Sequence, residues 1–310
     1  MSKNNPATYR RSSATSLPVL LASKAKQYGQ LESEEKLTWC TGCGNFGIQS
    51  ALMRALTLEN IGQQDFLLCF DIGCNGNGSD KMHANTIHGL HGRTISLAAG
   101  AVIANPRMKV IGIAGDGATF SEGVNHLVHA IRNNYPMMLI LHNNENYGLT
   151  TGQASATTRK GCHMNGTVEG VTTEPLNPLQ MILSLKPTFV ARSFSGNVEH
   201  MTDMLRAGLN HNGFAVVEIM QVCPTYNKFT SNEWFWERVK YLDEKHDRSD
   251  LWAARKAADD LEKEISMGVI YENRSEPSFL ERLASREGVK TTLVEEVESV
   301  DVSEIMKKFQ

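Results

Sequence analysis

Short apolar runs that end in Gly, Asp, Asn or Pro alternate along this chain with segments whose apolar residues recur at helical spacing. DFLLCFDIG (65–73), KVIGIAGDG (109–117), PMMLILHNN (136–144), TFVARSF (188–194) and FAVVEIMQV (214–222) read as strands. Between them, SEGVNHLVHAIRNN (121–134) carries Val124, Leu127, Val128 and Ile131 at helical spacing, with Ser121 placed to cap it. NPLQMILSL (177–185) offers Asn as cap and proline at the first helical position, and a further helix is expected over 198–210. The stretch LTWCTGCGNFGIQSALMRAL (37–56) also runs into an apolar helical pattern. Strands alternating with helices of this length predict an α/β fold, a mostly parallel sheet with helices on both faces.

Three parts depart from that alternation. Residues 1–36 are polar without sustained periodicity and are expected to form an N-terminal arm. The main domain is expected over 37–230, and within it 145–176 is a long polar segment rich in Gly and Thr, a functional loop by its length. From 231 to 310 the chain turns charge-rich, and a helical C-terminal extension is expected, with the aromatic cluster of NEWFWERVKYL either packing internally or facing a partner. A net charge of −3 carries no footprint for nucleic acid. No apolar run approaches the roughly 20 residues that span a bilayer. The first residues include Arg10 and Arg11 but no apolar signal core, so a cytoplasmic location is the expectation.

The most informative chemistry sits at two strand ends. One strand delivers Gly115-Asp116-Gly117, a helix follows, and the next strand ends at Asn143-Asn144. Open α/β sheets bind ligands at the carboxyl ends of their strands. Adjacent ends would bring Asp116 and Asn144 together as a hard, oxygen-only pair suited to Mg²⁺ and phosphate oxygens. The glycines permit close approach of a diphosphate, and the following helix can present free N–H groups. The plainer reading, a turn and a loop, suits either motif taken alone but not the two in this context.

Six cysteines are too few and scattered for a disulfide scaffold. Cys40, Cys43, Cys74 and Cys223 each stand within two residues of Gly or Pro at an expected turn or strand end, whereas Cys69 lies within a strand and Cys162 within the long loop. A Cys-x-x-Cys pair suits half of a zinc site, half of an iron–sulfur site or a redox pair, and the residues alone leave these open. The histidines of HANTIHGLHGR likewise suit a metal site or simple structural roles.

GDG followed after 25 residues by NN resembles the signature of thiamine-diphosphate enzymes. Together with WCTGCGNFGI, DIGCNG, HGLHGR, YGLTTGQ and VCPTYN, in that order about the motif, it makes residues 37–230 resemble the β subunit of 2-oxoacid:ferredoxin oxidoreductases. The resemblance implies a thiamine-diphosphate-binding fold in which Asp116, Asn144 and the Asn146 carbonyl hold Mg²⁺. It places Ile72, Gly73, Cys74, Asn75, His91, Gly115, Gly117, Ala118, Gly148 and Leu149 against the cofactor. His88 and His91 then lie near the reacting centre, and Cys40, Cys43, Cys74 and Cys223 hold a [4Fe–4S] cluster.

The implied reaction is coenzyme A-dependent oxidative decarboxylation of a 2-oxoacid, with electrons leaving for ferredoxin, and it is one that can run in reverse to fix CO₂. The carboxylate that activates the cofactor's aminopyrimidine is not found here, so an α subunit is the expected partner. Two departures bear on substrate. Ala118 stands where many members carry an acidic residue, and Thr151 where many carry a lysine able to pair with a distal carboxylate. The tryptophan before Cys40 points instead to the short two-subunit type, so 2-oxoglutarate comes first, with pyruvate or a broad range next. A clusterless thiamine decarboxylase or acyl transferase, and a zinc-stabilised interaction subunit without catalysis, stand as alternatives.

Overall fold

A computed structural model describes residues 24–297 and 302–309. Its centre is an eight-stranded sheet built from β1 (Phe66–Phe70), β2 (Asn85–His88), β3 (Lys109–Gly115), β4 (Met138–Asn143), β5 (Phe189–Phe194), β6 (Ala215–Met220), β7 (Val239–Tyr241) and β8 (Ile265–Glu272), in the order β2-β1-β3-β4-β6-β5-β8-β7. All neighbours pair in parallel except β5 and β8.

The central strands are apolar throughout because both faces are covered. Along β4, Met138 and Ile140 join one core and Leu139 and Leu141 the other. The first core packs under α2 (Asn45–Leu58) and α6 (Val198–Leu209). The second packs under α3 (Thr94–Ala104), α4 (Val124–Asn133), α5 (Pro178–Ser184) and α8 (Leu251–Asp259). The Asn177 side chain accepts from Gln180 N as the cap of α5, with proline following it. The expected Ser121 cap is not formed: residues 118–122 make a π-helical turn and α4 starts after Gly123, without a side-chain cap.

The ends of the chain differ from expectation. Residues 1–23 of the N-terminal arm lie outside the described residues, but 25–30 form helix α1 (Ala25–Gln30), and Leu31 is buried in the first core. The region after 230 is not simply helical. Besides α7 (Asn232–Trp236), α8 and the short α9 (Ser303–Met306), it supplies β7 and β8 to the sheet. Its aromatic cluster packs internally: Phe235 is buried, with Phe194 4.9 Å from its ring and 5.4 Å from that of Trp236.

Candidate active site

Because β1, β3, β4 and β6 are consecutive in the sheet, their carboxyl ends set four loops in a row. Residues 71–75 follow β1, Asp116 and Gly117 follow β3, Asn144–Gly148 follow β4, and Gln221–Cys223 follow β6. An open cleft lies across this row. Ile72, Gly73, Cys74, Asn75, His91, Gly115, Asp116, Gly117, Ala118, Asn144, Asn146, Gly148 and Leu149 all line it. His88 and Thr151 do not. His88 ends the edge strand β2 and backs the turn, its Nε2 only 2.5 Å from where a Cβ on Gly76 would stand. Thr151 is exposed, and its Oγ1 accepts from Asn165 Nδ2 at 3.1 Å.

Asp116 is 1% exposed. Its Oδ2 meets the hydroxyls of Ser155 at 2.5 Å and Thr157 at 2.6 Å, while Oδ1 is buried without a protein partner. Burial pushes the carboxyl up to about 6, against the lowering effect of those two hydroxyls. An orphaned carboxylate oxygen beside an amide side chain fits a hard cation, which would replace the missing hydrogen bond. Gly117 is required sterically, since a Cβ there would lie 2.3 Å from the Tyr147 ring.

His91 lines the cleft with its Nδ1 2.8 Å from Asp71 Oδ1. Asp71 also accepts from Gly92 N and Thr94 N. A carboxylate accepts, so His91 Nδ1 donates to it and Nε2 is the ring nitrogen left for another partner. His142, also at the cleft, faces Asn45 Oδ1 at 3.0 Å, and its burial lowers its pKa to about 4.

The cysteines divide into two groups. Gly44 N donates to the Val222 carbonyl at 3.1 Å, which seats the 40–43 turn against the segment carrying Cys223. The Cys74 thiol is pushed up to about 12, chiefly by burial, with Cys43, Cys223 and Cys40 adding electrostatically. Burial raises Cys43 as well, and Cys223 and Cys40 add to it. Those four thiols share one neighbourhood, and Cys74 alone among them lines the cleft. Among the described residues, no three His, Cys, Asp or Glu side chains converge as ligands of a single metal ion. Cys69 lies fully buried in β1, and Cys162 packs with Met164 and Val171 in the long loop.

Sequence reasoning missed Asp71, His142, Ser155 and Thr157. The only signal for the last two was the hydroxyl-rich SATT after the YGLTTGQ block.

Comparison with known proteins gives the family. Residues 71–219 match the family model for the C-terminal TPP binding domain of thiamine pyrophosphate enzymes. Residues 223–287 match that for the C-terminal part of the pyruvate ferredoxin oxidoreductase beta subunit. The β subunit of 2-oxoacid:ferredoxin oxidoreductase 1 from Aeropyrum pernix is 36% identical over 80% of this chain and 81% of its own. The 2-oxoglutarate synthase subunit KorB of Methanothermobacter thermautotrophicus is 28% identical over 80% of this chain and 86% of its own. A solved 2-oxoglutarate:ferredoxin oxidoreductase from Magnetococcus marinus, with 2-oxoglutarate, coenzyme A and succinyl-CoA bound, superposes with a TM-score of 0.82 at 33% identity, covering 92% of this chain and 96% of that one. Identity sustained over four-fifths of both chains, on a thiamine-diphosphate-binding α/β fold, means that this chain belongs to the 2-oxoacid:ferredoxin oxidoreductase β subunits.

Proposed function

We propose that this β subunit works with an α subunit to convert a 2-oxoacid, 2-oxoglutarate first, and coenzyme A to an acyl-CoA and CO₂, passing the electrons through a [4Fe–4S] cluster to ferredoxin. The observation that carries the reading is the double position of Cys74, which lines the cofactor cleft and also neighbours Cys40, Cys43 and Cys223. Those four thiols are assigned to the cluster. Four thiolates are the ligand set that a [4Fe–4S] cluster takes. Asp116, Asn144 and the Asn146 carbonyl are assigned to Mg²⁺, and the orphaned Asp116 Oδ1 supports that choice.

When bound, thiamine diphosphate supplies the electron sink for loss of CO₂, and a cluster accepts electrons singly. The chain's own residues supply placement. Ser155 and Thr157 occupy Asp116 Oδ2 and so leave Oδ1 for the cation. Gly115, Gly117, Ala118, Gly148 and Leu149 would border the diphosphate, and Ile72, Gly73 and Asn75 would meet the cofactor nearer Cys74. His91, held by Asp71, presents Nε2 as the site that takes or returns a proton. His88 is assigned to supporting the turn at Gly76. Thr151 brings no charge, so a distal substrate carboxylate is left to the α subunit. Ile72 and Leu149 stand exposed at the rim, where a docked partner would exclude water.

The test is anaerobic co-purification with the α subunit, followed by iron, sulfide and thiamine analysis and 2-oxoacid-dependent ferredoxin reduction. About four irons and four sulfides per β chain are expected, with reduction faster on 2-oxoglutarate than on pyruvate. Bound thiamine without iron would move the protein to non-redox thiamine chemistry.

A further inference from the structure

The residue between Asn144 and Asn146 is held in a backbone conformation it disfavours. Glu145 sits at φ 58°, in the left-handed region, although it is not glycine, asparagine or aspartate. Its side chain is buried and gripped by one guanidinium. Arg159 Nε donates to Oε2 and Arg159 Nη2 to Oε1, each at 3.0 Å. The Glu145 carbonyl accepts from Thr158 Oγ1 at 2.6 Å, and the Asn144 carbonyl from Asn227 Nδ2 at 3.1 Å. Arg159 is fixed in turn. Nη2 also reaches the Leu261 carbonyl at 3.1 Å, Nη1 pairs with Glu262, and the guanidinium lies 4.5 Å from the Trp234 ring centroid.

Neither side chain lines the cleft, so the pair acts through its neighbours. Glu145 carries Asn144 on one side and Asn146 on the other. Arg159 closely follows Ser155 and Thr157, whose hydroxyls hold Asp116. The ion pair therefore closes a ring between the two halves of the oxygen set, and Trp234 and Leu261 anchor that ring to the C-terminal region. A bidentate fork constrains distance and angle together, which a lysine in the same place would not.

We propose that Glu145 and Arg159 are positioning residues that clamp the spacing between Asp116 and the Asn144–Asn146 turn, and so make the cleft selective for a small octahedral cation. This rests on the assignment of those oxygens to Mg²⁺. Mg²⁺ demands short, near-ideal octahedral geometry, whereas Ca²⁺ accepts longer and irregular sets. Loosening the clamp should then cost Mg²⁺ more than Ca²⁺, a difference that general weakening of the fold would not create.

The experiment is calorimetric titration of thiamine diphosphate with Mg²⁺ or Ca²⁺ into the cofactor-stripped αβ complex, wild type against R159K and R159M. The expected result is a loss of about tenfold or more in apparent Mg²⁺ affinity, larger in R159M than in R159K, with a clearly smaller loss for Ca²⁺. Unchanged Mg²⁺ dependence in both variants, or equal losses for the two cations, would overturn the clamp. If R159M does not assemble, the cation ratio in R159K decides alone. Wild-type complex that binds thiamine diphosphate with no divalent cation would overturn the metal assignment and the clamp with it, a result visible before any substitution is compared.

Discussion

The indole Nε1 of Trp39 donates to the Cys74 carbonyl at 2.6 Å, tying the loop that carries Cys40 and Cys43 to the turn that carries Cys74. The Trp39 ring also packs edge-on against Phe46 at 5.3 Å, at the start of α2. One side chain thus holds two thiol-bearing segments 35 residues apart in sequence. Trp39→Phe keeps most of the ring and removes the donor, leaving the Cys74 carbonyl unpaired at a cost of about 1–3 kcal/mol. The variant should retain its fold, lose iron faster in the presence of a chelator, and melt several degrees lower by calorimetry.

Asp116→Ala should abolish Mg²⁺-dependent thiamine diphosphate binding, because the one buried carboxylate of the oxygen set is gone. Thr157→Val separates position from charge: it keeps Asp116 and removes one of the hydroxyls at Oδ2. It should weaken the apparent Mg²⁺ affinity by about tenfold without abolishing binding. Unaltered binding in Asp116→Ala, read by titration calorimetry, would contradict the metal assignment.

Iron analysis separates the cysteines. Cys223→Ser should lose or degrade the cluster, since the residue neighbours Cys43 and Cys74. Cys69→Ser should retain full iron and pay only in stability, because a hydroxyl would replace a thiol that is fully buried in β1. Full iron in Cys223→Ser, or iron loss in Cys69→Ser alone, would reverse the two roles.

Arg192 and Glu218 form an ion pair on β5 and β6 at 2.7 Å, with both side chains fully buried. Glu218 also accepts from Asn143 Nδ2 at 2.9 Å, next to the Asn144–Asn146 turn proposed to hold Mg²⁺. Removing one partner strands a buried charge, so Glu218→Ala should destabilise by about 3–5 kcal/mol. Arg192→Met combined with Glu218→Leu should recover most of that loss in urea unfolding.

Acid should weaken the fold partly through His200, whose Nδ1 lies 2.7 Å from Ser193 Oγ and whose burial lowers its pKa to about 3. Between that value and the ordinary histidine pKa near 6.5, the unfolded chain binds a proton that the folded chain refuses. The contribution of neutral His200 is therefore complete above about pH 6.5 and is lost as pH falls toward 3. Near pH 5 the loss amounts to about 2 kcal/mol. The raised Asp116 carboxyl acts with the opposite sign between about pH 4 and 6. His200→Gln should flatten the dependence of the urea midpoint between pH 7 and pH 5, and an unchanged slope would remove His200 from the account.

Local pattern made much of the site legible. The five apolar runs became β1, β3, β4, β5 and β6, and the motif residues at their ends, Asp116, Asn144 and the 72–75 turn, line a single cleft. Ser121 failed as a cap because residues 118–122 form a π-helical turn, a detail that helical spacing does not encode. The strands β7 and β8 were hidden because their charge-rich surroundings masked short apolar runs such as ISMGVIYE.

By itself, then, the sequence determined the α/β class, the covered parallel sheet and the chemistry waiting at the strand ends, since apolar periodicity and glycine placement act over a few residues. Which strand ends are neighbours was decided only in three dimensions. The order β1-β3-β4-β6 brings Cys74, Asp116, Asn144 and Cys223 into one row across the sheet, through crossovers whose closure no local pattern records. The grip of Ser155 and Thr157 on Asp116, and of Arg159 on Glu145, belongs to the same class. These are polar contacts within and between loops, where no periodicity exists to read, and they form because a buried carboxylate must find a partner wherever the fold supplies one.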